Sequence, residues 1–327
     1  MNSVKASNHN RTKLGARLTK TVGSPLLGLV FFLGVFPANA NAARILILGD
    51  SLSVPSGIGL GNRLDHDLRK KGHQPTTIAS CGSAPASYRE DTSTYKTRCG
   101  YLKRSADGSE TYLPYDKIKK TSGVATPKLH DLVRESNPDL AVIQQGTNLF
   151  RLILDHPTEG RSRVAGEVES LLLNLHHRAP QTGCVWIGPP KLSKYYGSSG
   201  AMVAVTSQHL QSMIEGIQQG IAKAEAVTGK KCAFHDSRSQ TEAPMGDGIH
   251  HWRAQQTEAW VRAAAQVVDE ALSSTAPKTL AGSSSSASSG SSSSSSSSGC
   301  LDCTVSAVSP LDASLKGLQG DLERLSK

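Results

Sequence analysis

The chain has 327 residues, with 36 lysines and arginines against 27 aspartates and glutamates and a formal charge of +9. Lys5, Arg11, Lys13, Arg17 and Lys20 stand in a leader without an acidic residue, and taking these five from +9 leaves +4 on the rest. So mild an excess gives no grounds for nucleic-acid binding. A weak attraction to acidic envelope polymers and an ordinary solvated surface both fit it.

Residues 1–42 read as an export signal. A basic segment is followed by an apolar stretch over residues 26–36 and then by Ala-Asn-Ala-Asn-Ala-Ala, small residues of the Ala-x-Ala cleavage type. The apolar stretch is short for a bilayer, which takes about 20 residues, and no cysteine follows the cleavage site as in a lipoprotein. The expected mature protein is periplasmic or extracellular, without an integral membrane anchor. All six cysteines, Cys81, Cys99, Cys184, Cys232, Cys300 and Cys303, lie beyond the leader. An even number in an oxidising compartment favours disulfides over metal or redox work. Cys300 and Cys303 form the one Cys-x-x-Cys. No second pair stands at zinc spacing and the chain around it is too short for a thioredoxin-like domain, so a disulfide is expected there rather than a catalytic dithiol.

Residues 43–277 suffice for one domain with a substantial core. Short apolar runs at 44–49 (RILILG), 76–79, 139–145 (DLAVIQQ), 184–188 (CVWIG) and 232–235 (CAFH) read as strands. Stretches at 60–71, 126–134, 164–178, 202–228 and 255–272 read as helices between and after them. Continuous apolar strands alternating with helices predict a parallel sheet covered on both faces. The fold class is three-layer α/β, with about five strands in flavodoxin-like order. In that order the fourth and fifth strands are neighbours, so Cys184 and Cys232 should pair at their starts. Cys81 and Cys99 would then close the long connection after the second strand.

That connection, residues 82–123, reads as irregular. It holds Tyr88, Tyr95, Tyr101, Tyr112 and Tyr115, five of the seven tyrosines. They suit either sugar contacts at the catalytic end of the sheet or a loop that packs its own aromatics. Residues 278–299 are a Ser-rich flexible linker. The tail, 300–327, carries a capped helix start at Ser309-Pro310 and a seam of Leu311, Leu315, Leu318, Leu322 and Leu325. A lone stripe of this kind fits docking to a partner or to another copy, or a tail that stays unstructured.

Function in an open parallel sheet gathers at the C-terminal ends of the strands. The first strand runs into Gly49-Asp50-Ser51-Leu52-Ser53, where a tight turn would expose the Ser51 hydroxyl. The second ends in Ala79-Ser80-Cys81-Gly82 and the third in Gly146-Thr147-Asn148. After the fifth comes Asp247-Gly248-Ile249-His250. These four blocks, in this order and at these strand ends, resemble the GDSL or SGNH hydrolase superfamily, named for a serine, glycine, asparagine and histidine.

The resemblance implies a catalytic Ser51, activated by His250 as base, with Asp247 orienting the imidazole. It implies an oxyanion hole from the backbone N–H groups of Ser51 and Gly82 and the side-chain amide of Asn148. Leu149 follows Asn148 where the family commonly has an acid, and Ile78-Ala79-Ser80-Cys81 lacks the asparagine often found before the glycine. Neither departure removes a catalytic group. Asp50 reads as a turn residue, His251 as a second candidate base, and His176-His177 as surface. Trp186, Trp252 and Trp260 read as packing residues, with Trp252 placed to line a pocket. No cofactor or metal is implied; a metal held by Asp247, His250 and His251 lacks further ligands. The expected activity is an exported serine esterase removing a short acyl group, acetyl foremost, from a carbohydrate or envelope polymer. A lipase or lysophospholipase, an O-acyltransferase, and a non-catalytic binding or scaffold protein are the alternatives.

Overall fold

The computed structural model describes residues 42–55, 59–197, 199–242, 246–250 and 254–275. The chain divides into Met1–Ala40 and Asn41–Lys327, and every described residue belongs to the second unit. The expected signal peptide, the Ser-rich linker, the leucine seam, Cys300, Cys303, His251 and Trp252 lie outside the described residues.

From the N-terminus the elements are β1 (Arg44–Gly49), α1 (Leu60–Lys70), β2 (Gln74–Ser80), the single turn α2 (Pro85–Tyr88), β3 (Lys96–Thr97), β4 (Gly100–Arg104) and β5 (Glu110–Pro114). There follow α3 (Tyr115–Ile118), β6 (Val124–Ala125), α4 (Leu129–Ser136), β7 (Leu140–Gln144), α5 (Phe150–Asp155), α6 (Gly160–Arg178) and β8 (Gly183–Ile187). The last described elements are β9 (Lys194–Tyr196), β10 (Met202–Ala204), α7 (Ser207–Thr228), β11 (Cys232–His235) and α8 (Ala254–Thr275).

Seven strands form the central sheet in the order β11-β8-β7-β1-β2-β4-β5. The five from β11 to β2 run parallel, in the flavodoxin-like order expected. The count of five is corrected to seven by the hairpin β4–β5, antiparallel to β2, which the sequence reads as irregular loop. Its strands sit at the sheet's edge and carry Lys103, Arg104, Glu110 and Thr111, so no apolar run announces them. The signal was the turn itself, Asp107-Gly108, between Tyr-Leu-Lys-Arg and Glu-Thr-Tyr-Leu.

Alternation along the buried strands feeds two layers. Ile45 and Ile47 of β1 meet Leu60, Leu64 and Leu68 of α1 and Trp260, Val261 and Val268 of α8. Leu46 and Leu48 face the other side, where α4, α5, α6 and α7 pack. Each such leucine taken fully from water is worth roughly 2 kcal/mol. Cys184 and Cys232, partners across β8 and β11, are joined as expected, with Cα atoms 4.5 Å apart. Cys81 and Cys99 are joined at 5.5 Å.

Two further expectations change, and one open choice is decided. The helix read over 202–228 begins at Ser207, because Thr206 caps it by accepting the His209 N–H; Met202–Ala204 instead pairs with β9. His176 is buried, on the inward side of α6 against Thr228, while His177 is exposed as read. Most of the loop tyrosines are packing groups. Tyr88 and Tyr101 are buried, the Tyr95 hydroxyl donates to the Cys81 carbonyl, and Tyr115 alone of the five is largely exposed. Trp186 and Trp260 are fully buried, each with its indole N–H donating, to the Gln145 carbonyl and Ser237 Oγ.

Candidate active site

β1 is apolar from Ile45 to Leu48, and the residues after Gly49 are tied down one by one. The Leu52 N–H donates to Asp50 Oδ1 at 2.9 Å, an Asx turn, and the Ser53 N–H donates to the Asp50 carbonyl at 3.1 Å. Ser53 Oγ donates to Oε1 of Gln144, the last residue of neighbouring β7, at 2.7 Å. The Gly49 carbonyl accepts from the Tyr88 hydroxyl at 2.9 Å. Ser51 is thereby held at the rim of the sheet with 9% of its surface exposed. Asp50 beside it is fully buried; burial pushes its carboxyl up to about 6, against the lowering pull of the Leu52 N–H and the Gln144 and Thr147 side chains.

The second piece is the turn Asp247–His250. Asp247 Oδ1 accepts the N–H groups of Ile249 and His250, each at 2.9 Å. Those two bonds close the turn and leave Oδ2 2.7 Å from His250 Nδ1, which is what the Asp-x-x-His spacing achieves. Partial burial works to raise the Asp247 carboxyl, but the His250 N–H, the His250 ring and the Ile249 N–H outweigh it and hold the group below its usual range. Gly248 has φ +79°, and a Cβ there would come within 2.8 Å of Lys194 Cβ and Ser193 Oγ. Its carbonyl accepts the Ser193 N–H at 3.0 Å. So anchored, the turn places His250 Nε2 3.2 Å from Ser51 Oγ, across 199 residues of chain.

The third piece is a set of donors. Gly82 has φ +80°, and a Cβ would lie 2.2 Å from the Tyr95 hydroxyl oxygen. Only glycine fits. Among the described residues no acceptor takes the backbone N–H of Ser51 or Gly82. Asn148 stands on a 3-10 turn, Thr147–Leu149, just past β7. Its Nδ2 donates to the Ser83 carbonyl at 2.7 Å, and its Oδ1 accepts from the Tyr195 hydroxyl at 2.8 Å.

Of the residues singled out in the sequence, Ser51, Asp247 and His250 are therefore in direct contact, and Gly82 and Asn148 lie at the ends of β2 and β7, the strands flanking β1. Sequence reasoning missed Gln144, Ser83 and Tyr195. Gln144 had a signal, a polar residue closing an apolar strand; Tyr195 had none. Among the described residues no three His, Cys, Asp or Glu side chains are grouped to hold a metal ion.

No family model and no curated protein matches the chain. Solved structures do. One is a putative arylesterase from Agrobacterium tumefaciens, at 19% identity and TM-score 0.41, covering 69% of this chain and 98% of that one. A second is a family two carbohydrate esterase from Cellvibrio japonicus, at 14% identity and TM-score 0.43, covering 71% of this chain and 62% of that one. A third is the periplasmic domain of a lipopolysaccharide acetyltransferase from Salmonella ser. Paratyphi A, at 10% identity and TM-score 0.41, covering 70% and 85%. The fold stands on the strand order above, and the chemistry on this chain's own side chains. The five parallel strands, in the order expected, carry the first three of the four blocks just past the C-terminal ends of β1, β2 and β7, and the fourth on the loop between β11 and α8.

Proposed function

We propose that the chain is an exported serine esterase that removes a short acyl group, acetyl foremost, from a carbohydrate or envelope polymer. The observation that carries the reading is the contact of Ser51 Oγ with His250 Nε2, backed by His250 Nδ1 on Asp247. A serine hydroxyl becomes a useful nucleophile only when a base is within hydrogen-bond reach. Ser51 Oγ attacks the ester carbonyl carbon while His250 Nε2 takes its proton. The carbonyl oxygen gains negative charge opposite the N–H groups of Ser51 and Gly82 and Nδ2 of Asn148. Collapse breaks the C–O bond, the alcohol leaves with the proton from His250, and Ser51 keeps the acyl group. Water repeats the cycle and releases the acid. Asp247 stays ionised throughout, steadying the protonated ring.

Export is supported by the leader and by the two disulfides, which belong to oxidising compartments. Among the described residues no helix is long and apolar enough to cross a membrane. The test is modification by an aryl fluorophosphonate followed by mass mapping. Label should fall on Ser51 and vanish in Ser51→Ala together with aryl acetate turnover; an unmodified Ser51 leaves a binding or scaffold role. Aryl esters of increasing chain length, beside acetate release from acetylated xylan and peptidoglycan, identify the substrate. Preference for long acyl chains would overturn the short-acyl assignment, and transfer to an added sugar would replace hydrolysis by acyl transfer.

A further inference from the structure

A donor to an oxyanion helps only if it is aimed before the charge develops. A free asparagine on the turn after β7 could rotate its amide by half a turn and offer oxygen in place of nitrogen, repelling the charge it should stabilise. Two contacts prevent this for Asn148. The Ser83 carbonyl takes one Nδ2 hydrogen at 2.7 Å, and the Tyr195 hydroxyl donates to Oδ1 at 2.8 Å. The second Nδ2 hydrogen remains for a substrate.

Tyr195 is itself tightly held. It is 7% exposed, its ring centroid lies 5.9 Å from that of Phe150, and its backbone pairs with Val203 in the ribbon β9–β10. Burial pushes its hydroxyl above the ordinary tyrosine range, so it stays protonated and a donor. Tyr196 alternates to the other face and is half exposed. Immediately before Tyr195, the N–H groups of Ser193 and Lys194 converge on the Gly248 carbonyl in the histidine turn. One short segment therefore touches both the asparagine and the turn that carries the base.

We propose that Tyr195 is a positioning residue, its hydroxyl holding the Asn148 amide in the orientation that presents Nδ2 to the substrate carbonyl oxygen. The proposal rests on the esterase reading above. It predicts that the tyrosine hydroxyl matters only through the asparagine.

The experiment is a double-substitution cycle with Tyr195→Phe and Asn148→Ala. It is read by kcat and KM on an aryl acetate, and separately by the rate of Ser51 modification with the fluorophosphonate. Phenylalanine keeps the ring against Phe150. Tyr195→Phe should lower kcat about tenfold, the size of one lost hydrogen bond, with KM unchanged. It should slow Ser51 modification by a similar factor, and cost nothing further in the Asn148→Ala background. A purely structural tyrosine would cost the same in both backgrounds, which overturns the proposal, as does a Tyr195→Phe protein with unaltered kcat. Failure of the esterase reading looks different: the unsubstituted protein would itself leave Ser51 unmodified.

Discussion

Asp50 offers a prediction whose direction is set by burial, which outweighs the lowering contacts around it. It is fully buried within the nucleophile turn, with Oδ1 accepting the Leu52 N–H. Its carboxyl is pushed from 3.8 up to about 6. A buried acid with a raised pKa binds its proton more tightly in the folded chain than in the unfolded one. Its contribution to stability is fully present below the unfolded value and is lost as pH rises through the folded one. Two pKa units at about 1.4 kcal/mol each give a loss of about 3 kcal/mol between about pH 3 and pH 7.5. Asp50→Asn keeps an oxygen for the Leu52 N–H while removing the titration. Urea unfolding of both proteins, followed by the fluorescence of buried Trp186 and Trp260, measures the difference in ΔG at each pH. Other titrating groups cancel in that difference. The wild type should lose about 3 kcal/mol relative to Asp50→Asn as pH rises over this window. A difference that stays flat would show that Asp50 does not titrate there and would refute the reasoning.

Two other outcomes test the remaining parts of the site. Asn148→Ala should lower kcat by roughly 10²–10³, about 3–4 kcal/mol, as loss of one oxyanion donor does; a change confined to KM would count against that role. Replacing Cys81 and Cys99 together by serine opens a loop whose ends are 18 residues apart and should cost about 3 kcal/mol in thermal or urea unfolding. Because Gly82 adjoins Cys81, kcat on an aryl acetate should fall as well, and stability lost without any change in kcat would separate the disulfide from the donor.

The parallel core was legible because β1, β7 and β8 are buried and largely apolar, while β2, rich in threonine, and the short β11 follow in the same alternation with helices. What position in sequence does not encode is partnership across the sheet edge. The hairpin β4–β5 carries charged residues, and its outer strand β5 is partly exposed, so its only announcement was a turn. His176 looked solvent-facing because a histidine pair near a helix end usually is, yet α7 packs over it and Thr228 meets its ring. At the site, Ser51, Asp247 and His250 were readable from short blocks, since each block carries its own turn chemistry. Tyr195 was not, because its contact with Asn148 joins residues 47 apart through a ribbon with no periodic signal of its own. Gln144 lay between: its position closing an apolar strand was visible, but its hold on Ser53 depends on the β1–β7 register.

β11 is four residues long and lies at the margin of the sheet, pairing with β8 alone among the described residues. A strand so brief, with one neighbour, would ordinarily peel away easily and let an outside chain take its place. The covalent link at its first residue, Cys232 to Cys184, forbids that exchange while the bond is intact. Reducing agents should therefore loosen this margin first, and with it the path that leads onward to Asp247, well before the middle of the sheet gives way.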